Sequence, residues 1–311
     1  MNSSDRVLIT GSGGLVGSAL VEFLKAQGFA NILTPRSGEL DLRDAQATNT
    51  YFKREKPDLV YHLAARVYGI LGNMENKGLS FYDNVLINLN VVEAARRAGV
   101  RKTVAMGSGA VYPYPPPREL LHEDDLWSGK PHPSEDSYAH SKRAMLAQLD
   151  AYSEQYDMDF AFAISGNLYG PGDKFDIRHG HVTPSLVAKF YQAQQSGGAV
   201  SVWGNGSAKR DFMFSRDAAR ALFCLMQKGT GAVNIGSGQI HSIRDVVDAI
   251  ADATGLADRV EWDESMPNGQ EFRAYDLGRL NSLGFVAETT LRDGVAETFE
   301  WYSRNVDLVR T

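Results

Sequence analysis

The chain has 311 residues, 43% of them hydrophobic and 23% charged, enough for a sizeable core in one large or two intimately joined domains. A net charge of −6 gives no electrostatic reason to expect nucleic acid or an anionic membrane as partner, although local basic residues could bind a phosphorylated small molecule. The single cysteine, Cys224, excludes an intrachain disulfide, and no cysteine cluster suggests structural zinc, so no metal is expected.

The opening residues MNSSDRVLITGSGG lack the apolar core of a signal peptide. No uninterrupted apolar run approaches the roughly 18 residues of a membrane span. A cytoplasmic protein is the expectation. Arg6 to Thr10 is a short β-branched run ending at Gly11, which reads as a buried first strand. Gly11, Gly14 and Gly17 follow, then Leu15, Val16, Ala19, Leu20, Phe23 and Leu24 at helical spacing, with Gly28 where a helix would stop. A strand, a glycine turn and a helix make a phosphate site. Glycines let the backbone approach a pyrophosphate, and the helix N-terminus supplies free N–H groups and a favourable dipole.

The second strand, Asn31 to Thr34, runs into Pro35-Arg36-Ser37. An NAD site usually offers an acidic residue here to the ribose 2′-hydroxyl; Arg36 could instead pair with a 2′-phosphate, which favours NADP(H) over NAD. Asp41 and Leu42 could lie against the adenine. Asp58 to Ala65 reads as a further strand that opens into the small residues Ala64 and Ala65, where a bound cofactor needs room, with His62 packed in the strand. Asn84 to Ala98 has helical periodicity, and Lys102 to Met106 reads as another buried strand. Alternating strands and helices imply a Rossmann-type, doubly wound parallel sheet of the α/β class. Ligands would then sit at the carboxyl ends of the strands, where Gly11, Ala64 and Ser108 converge.

Tyr138 and Lys142, four residues apart, share one face of a helix. A phenol beside an ammonium is an acid/base arrangement in which the cation favours the phenolate and lowers the tyrosine pKa. The Pro-rich loop from Tyr112 to Pro117 and the polar stretch to Ser137 read as an excursion over the active site, since Ser108 and Tyr138 flank it. Phe160 to Ile164 reads as the next strand. The turn cluster Tyr169 to Asp173 marks entry into a smaller C-terminal α/β substrate lobe. A helical region spans Thr183 to Gln194, residues 202–212 suggest a strand, a turn and a strand, and Asp217 to Gln227 is a helix that carries Cys224 as a small core residue. Ala232 to Ile235 reads as a strand returning to the nucleotide domain, and helical patterns follow at Ile243 to Ala253 and Leu291 to Arg304. The expected division is a Rossmann domain from residues 1–168 and about 213–240, with a sugar-nucleotide lobe from about 169–212 and 241–311.

The spacing of Gly11, Gly14 and Gly17, Ser108 four residues before Tyr112, and Tyr138-x-x-x-Lys142 resemble the extended short-chain dehydrogenase/reductases. Within them the chain is similar to the GDP-L-fucose synthases, through HLAARVYGILGN (62–73), GSGAVYP (107–113), SYAHSK (137–142), NLYGPGDKF (167–175), HVTP (181–184) and VWGNGSAKRDF (202–212). Those enzymes epimerise and then reduce GDP-4-keto-6-deoxymannose. The resemblance implies that Tyr138 donates a proton to the sugar 4-oxygen and that Ser108 hydrogen-bonds it. Lys142 would lower the tyrosine pKa and bind the nicotinamide ribose. Asn167 and Leu168 match positions near substrate and nicotinamide. His181 matches the epimerase histidine; as a residue it reads as a retained acid or sugar-binding group, or as a cap on the following helix. Trp203 would lie against the guanine or its ribose and Arg210 on the diphosphate, with Lys189 and Arg273 as further substrate-binding candidates.

Two departures matter. Ala110 stands where the fucose synthases carry the epimerase cysteine, and an alanine methyl cannot abstract a proton; the Asp-Glu pair that dehydratases carry at the positions of Gly109 and Ala110 is also absent. Tyr68 stands where the fucose synthases usually have glycine; it reads either as a phenol bordering the sugar, which would reshape the pocket, or as a surface or packing tyrosine. The resemblance therefore implies NADPH-dependent C4 reduction of a GDP-4-keto-6-deoxy hexose or heptose, with C3/C5 epimerisation absent or altered. The alternatives are full GDP-fucose synthesis, an NAD-retaining 4-epimerase, or a cofactor-sensing regulator. Family members commonly dimerise through the helices at 84–98 and Tyr138–Lys142, so a homodimer is expected.

Overall fold

Alternation at period two organises the first half of the chain. The computed structural model describes residues 1–309 apart from 68–69, 178–179, 267 and 269, so Tyr68 lies outside the described residues. β1 (Val7–Thr10) is wholly buried, with Val7 and Ile9 in one hydrophobic cluster and Leu8 in a second. A strand apolar on both faces must be covered on both faces. β2 (Ile32–Leu33), β3 (Leu59–His62) and β4 (Lys102–Met106) follow, separated by α1 (Leu15–Ala26), α2 (Ala45–Glu55), α3 (Ile70–Glu75) and α4 (Lys77–Arg97). Sequence periodicity misses α2 because AQATNTYFKRE is largely polar; its start is fixed by Asp44, whose carboxylate accepts the backbone N–H groups of Gln46 and Ala47. α4 begins seven residues before the expected Asn84.

β5 (Leu120–Leu121), α5 (Asp136–Tyr156), β6 (Asp159–Ser165), β7 (Asn167–Tyr169), α6 (Val182–Ser196), β8 (Val200–Trp203), β9 (Lys209–Phe214), α7 (Ser215–Lys228) and β10 (Gly231–Ile235) come next. The chain closes with β11 (Ile240–Ser242), α8 (Ile243–Thr254), β12 (Val260–Asp263), β13 (Phe272–Tyr275), α9 (Gly278–Ser282) and α10 (Leu291–Asn305). Six strands form one parallel sheet in the order β10-β6-β4-β3-β1-β2. Side chains of α1 and α7 fill the cluster on one face, and those of α2, α4 and α5 fill the cluster on the other. This is the expected doubly wound Rossmann-type arrangement. Strand order reverses at β1, which has β2 on one side and β3 on the other, so the crevice at their carboxyl ends is the natural ligand position.

A third cluster joins Phe190 of α6, Val246 and Ile250 of α8 and Val295 and Phe299 of α10 to Val202 and Phe212 of β8 and β9. The strand, turn and strand expected of residues 202–212 are present as β8, a glycine turn and β9. β8 pairs with β12 in a two-stranded sheet, whereas β9 lies between β11 and β13 and also pairs with β7. The turn bears Gly204 and Gly206 at φ of 74° and 75°, and it sends the two strands into different sheets. Cys224 packs on the first cluster, as expected of a small core residue.

The stretch from Tyr112 to Ser137, expected to run over the active site, is corrected. Residues 110–134 contribute nothing to the wall of the large cavity described below. They are fastened beside it instead. β5 pairs in parallel with β13, Glu123 accepts the backbone N–H of Asn234 at 2.7 Å, and the Tyr112 hydroxyl donates to Asn234 Oδ1 at 2.5 Å.

Candidate active site

A cavity of about 1030 Å³ opens at the carboxyl ends of β1, β3, β4 and β6. Its nucleotide end is built from backbone. A methyl placed on Gly11, whose φ is +72°, would meet Ala64 N at 2.8 Å, and one on Gly17 would meet the Gly11 carbonyl oxygen at 2.2 Å. The glycine turn is thus pressed against both the β3 exit and its own helix, and a side chain at either position would push the turn away. Gly14 precedes the first turn of α1 with no side-chain cap, which leaves the helix N–H groups open. Ser12 Oγ is buried in this turn with no hydrogen-bond partner among the described residues, and it lines the cavity. An orphaned hydroxyl beside an uncapped helix start fits a pyrophosphate.

At the far side, Arg36 Nη1 lies 1.9 Å from where a methyl on Gly13 would sit, so its guanidinium lies over the glycine turn. Asp41 is committed to Arg43 at 2.8 Å, and that guanidinium holds its carboxyl down at about 2. Arg43 and Arg66 both also approach Asp83, at 3.4 Å each, and both line the cavity. Arg36, Arg43 and Arg66 suit an anionic adenosine ribose. Sequence reasoning found Arg36 but passed over Arg43, Arg66 and Ser12, whose only signal was nearness to residues already chosen.

The reacting end is set by β4 and α5. Lys142 is 1% exposed, its Nζ donates to the Met106 carbonyl at 2.8 Å, and it lies 5.7 Å from the Tyr138 ring centroid. Ser108 Oγ accepts the Ala110 N–H at 3.3 Å, which fixes the turn after β4. Burial, then the Glu135 carboxylate, push the Tyr138 phenol above its ordinary value, while burial pulls the Lys142 ammonium down to about 7. This reverses the expectation that Lys142 lowers the tyrosine. The protein's own groups keep Tyr138 protonated at neutral pH, which suits a proton donor.

His62 is fully buried. Its Nδ1 lies 2.8 Å from Thr10 Oγ1 and its Nε2 3.0 Å from Asn88 Oδ1, and burial followed by the Lys142 charge lowers its pKa to about 3. A neutral ring donating from Nε2 and accepting at Nδ1 satisfies both contacts, as a packed strand residue should.

The cavity gathers Gly11, Gly14, Leu15, Val16, Gly17, Arg36, Asp41, Leu42, Ala64, Ala65, Ser108, Tyr138, Lys142, Asn167, Leu168, His181 and Arg273 from the sequence-derived candidates. It does not include Lys189, Trp203 or Arg210. Trp203 is 48% exposed, with Lys189 Nζ 5.6 Å above its ring. Among the described residues the Arg210 side chain hydrogen-bonds only carbonyls, of Lys209 and Gln270, and burial followed by the Arg273 charge lowers its pKa to about 10. His181 is exposed and makes no capping bond to α6, so its expected capping role is not realised. Glu135 and Tyr275 line the cavity without any sequence pattern to flag them. Ala110 is 4% exposed and lies behind the wall. Among the described residues no cluster of His, Cys, Asp or Glu could hold a metal ion.

The model of the NAD dependent epimerase/dehydratase family matches residues 7–236. The chain belongs to that family. It is 35% identical to GDP-L-fucose synthase 1 of Arabidopsis thaliana over 98% of this chain and 95% of that protein. Among solved structures, a GDP-mannoheptose C4 reductase from Campylobacter jejuni with NADP bound superposes with a TM-score of 0.89 at 29% identity, covering 97% of this chain and 99% of the other. A GDP-L-fucose synthetase from Naegleria fowleri bound to NADP superposes at 0.93 with 31% identity, covering 100% and 96%.

Arg36, which lies over the glycine turn, is the candidate for telling the two nicotinamide dinucleotides apart. Arg36→Ala should weaken NADPH binding by about 10- to 100-fold, as expected for loss of a charge-assisted phosphate contact, and leave NADH nearly unchanged. Titration calorimetry with both cofactors checks it; equal losses for the two would remove Arg36 from 2′-phosphate recognition.

Proposed function

We propose that the protein is an NADPH-dependent reductase of the C4 keto group of a GDP-4-keto-6-deoxy sugar, hexose or heptose, with C3/C5 epimerisation absent or altered. The observation that carries this reading is the convergence of Ser108, Tyr138 and Lys142 on one cavity whose neighbouring positions 109 and 110 bear no acid or base. The relatives support it: one is a GDP-mannoheptose C4 reductase with NADP bound, and another a GDP-L-fucose synthase.

The reduced nicotinamide supplies a hydride. A carbonyl that accepts hydride becomes an alkoxide, which needs a proton and a hydrogen-bond donor together. Tyr138 gives the proton, and Ser108 donates to the same oxygen. Lys142, anchored to Met106 O, places positive charge near the phenolate that Tyr138 becomes. The glycine turn, Ser12 and the start of α1 hold the pyrophosphate, Arg36 the 2′-phosphate, and Asp41, Leu42, Ala64 and Ala65 the rest of the nucleotide half. Asn167, Leu168 and His181 border the sugar. Arg210 and Arg273 take the substrate diphosphate, supported by their mutual repulsion, which an anion would relieve, and Lys189 and Trp203 extend toward the base. His181, retained on the cavity wall, favours full GDP-fucose synthesis as the second reading.

The same reading divides the chain into a cofactor domain of residues 1–168 and about 213–240 and a sugar-nucleotide lobe of about 169–212 and 241–311. The separate third hydrophobic cluster supports it. A homodimer is part of the proposal, supported by Leu79, Tyr82 and Leu89, which are 50%, 62% and 39% exposed on α4. Among the described residues no helix is long and apolar enough to cross a membrane. A water-soluble sugar nucleotide as substrate fits a cytoplasmic enzyme.

Three outcomes test this function. NADPH oxidation against GDP-, dTDP- and UDP-4-keto sugars should be fastest with a GDP sugar, and Tyr138→Phe should lower kcat by about 100-fold or more while keeping NADPH affinity. In deuterated water the product should carry no deuterium at C3 or C5; label there would establish the bifunctional reading instead. Because the Lys142 ammonium is present below about 7 and lost above it, kcat/KM for reduction should fall as pH rises through that value, and a profile without this inflection would take the lysine charge out of proton delivery. For the dimer, Tyr82→Glu with Leu89→Glu should give a monomer by light scattering, and an unchanged mass would place the interface elsewhere.

A further inference from the structure

Tyr275 is a buried aromatic residue to which the proposed reaction assigns no work. It ends β13, a strand from the C-terminal part of the chain that pairs with both β9 and β5. Its side chain is wedged between two glycines. A methyl on Gly109 would lie 1.9 Å from the phenol oxygen, and one on Gly166 would lie 2.7 Å from ring carbon Cε2. Gly109 follows Ser108, and Gly166 precedes Asn167. The phenol is therefore held where the chain leaves β4 and β6, beside the residues expected to touch the sugar. It lines the same cavity as Ser108 and Tyr138 and stays 5% exposed.

The surroundings of this hydroxyl are one-sided. Arg273, two residues earlier on the same face of the strand, places its positive charge near the Tyr275 phenol. A guanidinium has only donors and cannot take the phenol proton, which remains to be given. Arg273 is itself fixed, by Glu135 at 2.9 Å and by Gln270 at 2.9 Å. Burial pushes the Tyr275 phenol up to about 12, which keeps it a neutral donor at any working pH. The ring packs against Tyr112 at 5.9 Å between centroids, so the hydroxyl is aimed by packing.

We propose that Tyr275 is a second substrate-contacting hydroxyl, donating a hydrogen bond to an oxygen of the sugar ring on the Ser108 side, and that Gly109 is bare because this phenol occupies the space of its side chain. The inference rests on the reading of the cavity as a GDP-4-keto sugar site. It makes Tyr275 a specificity residue: it favours sugars that present an acceptor there and contributes nothing to binding of the nucleotide moiety.

Tyr275→Phe keeps the ring and removes the donor. KM for the GDP-4-keto sugar should rise about tenfold, the loss expected for one buried hydrogen bond, with calorimetric affinities for GDP alone and NADPH unchanged. An unchanged KM in an active wild-type background overturns the contact. A wild type that reduces no GDP-4-keto sugar overturns the reaction itself, and the contact with it. The packing half is read independently of turnover: Gly109→Ala should lower the unfolding temperature, and adding Tyr275→Leu should restore it. Additive effects in that pair would show that the two residues do not share the space.

Discussion

The constraint on which the rest depends is the contact of two backbones, the Gly11 turn and the exit of β3 at Ala64. They lie so close that one methyl would collide at 2.8 Å. That approach is possible because β1 and β3 are parallel neighbours in register, Thr10 opposite His62, and both end at the same level. The His62 ring ties this level to the helices behind it, bonding Thr10 on one side and Asn88 of α4 on the other, while Asn88 Nδ2 donates to the Ser141 carbonyl next to Lys142. One chain of satisfied buried polar groups thus connects the glycine turn to α5. Breaking any member would leave its partner unpaired, which costs more than the bond itself gains.

Electrostatics at the reacting end follow from enclosure rather than from the Tyr138–Lys142 pair taken alone. Burial opposes charge on both groups, and the Glu135 carboxylate further opposes a phenolate. The result is a neutral phenol beside a lysine poised near neutrality. Glu135 is restrained in turn by Arg273, whose strand also carries Tyr275 and pairs with the strand of Arg210. The C-terminal part of the chain therefore reaches, through Arg273 and Tyr275, into the cavity that holds Ser108, Tyr138 and Lys142 from the first half.

Alternating buried strands and the Gly11–Gly17 pattern made the parallel sheet, the phosphate turn and the Ser108, Tyr138 and Lys142 set legible in the sequence, because each depends on local spacing. α2 was not legible, since a polar helix fixed by one capping aspartate leaves no apolar period. Residues 202–212 were legible as a strand, a turn and a strand, but local turn chemistry says where a strand ends and not which sheet the next one joins.

What the sequence determined by itself was the family, the cofactor turn and the absence of an acid or base at positions 109 and 110. The tertiary structure alone decided that Tyr138 is raised rather than lowered, that Arg36 lies over the glycine turn, that Lys189, Trp203 and Arg210 stand apart from the main cavity, and that Tyr275 fills the space above Gly109. Each of these is set by burial or by groups that the fold brings together from different elements. Desolvation and long-range packing belong to the folded surroundings of a residue and leave no mark on its neighbours in sequence.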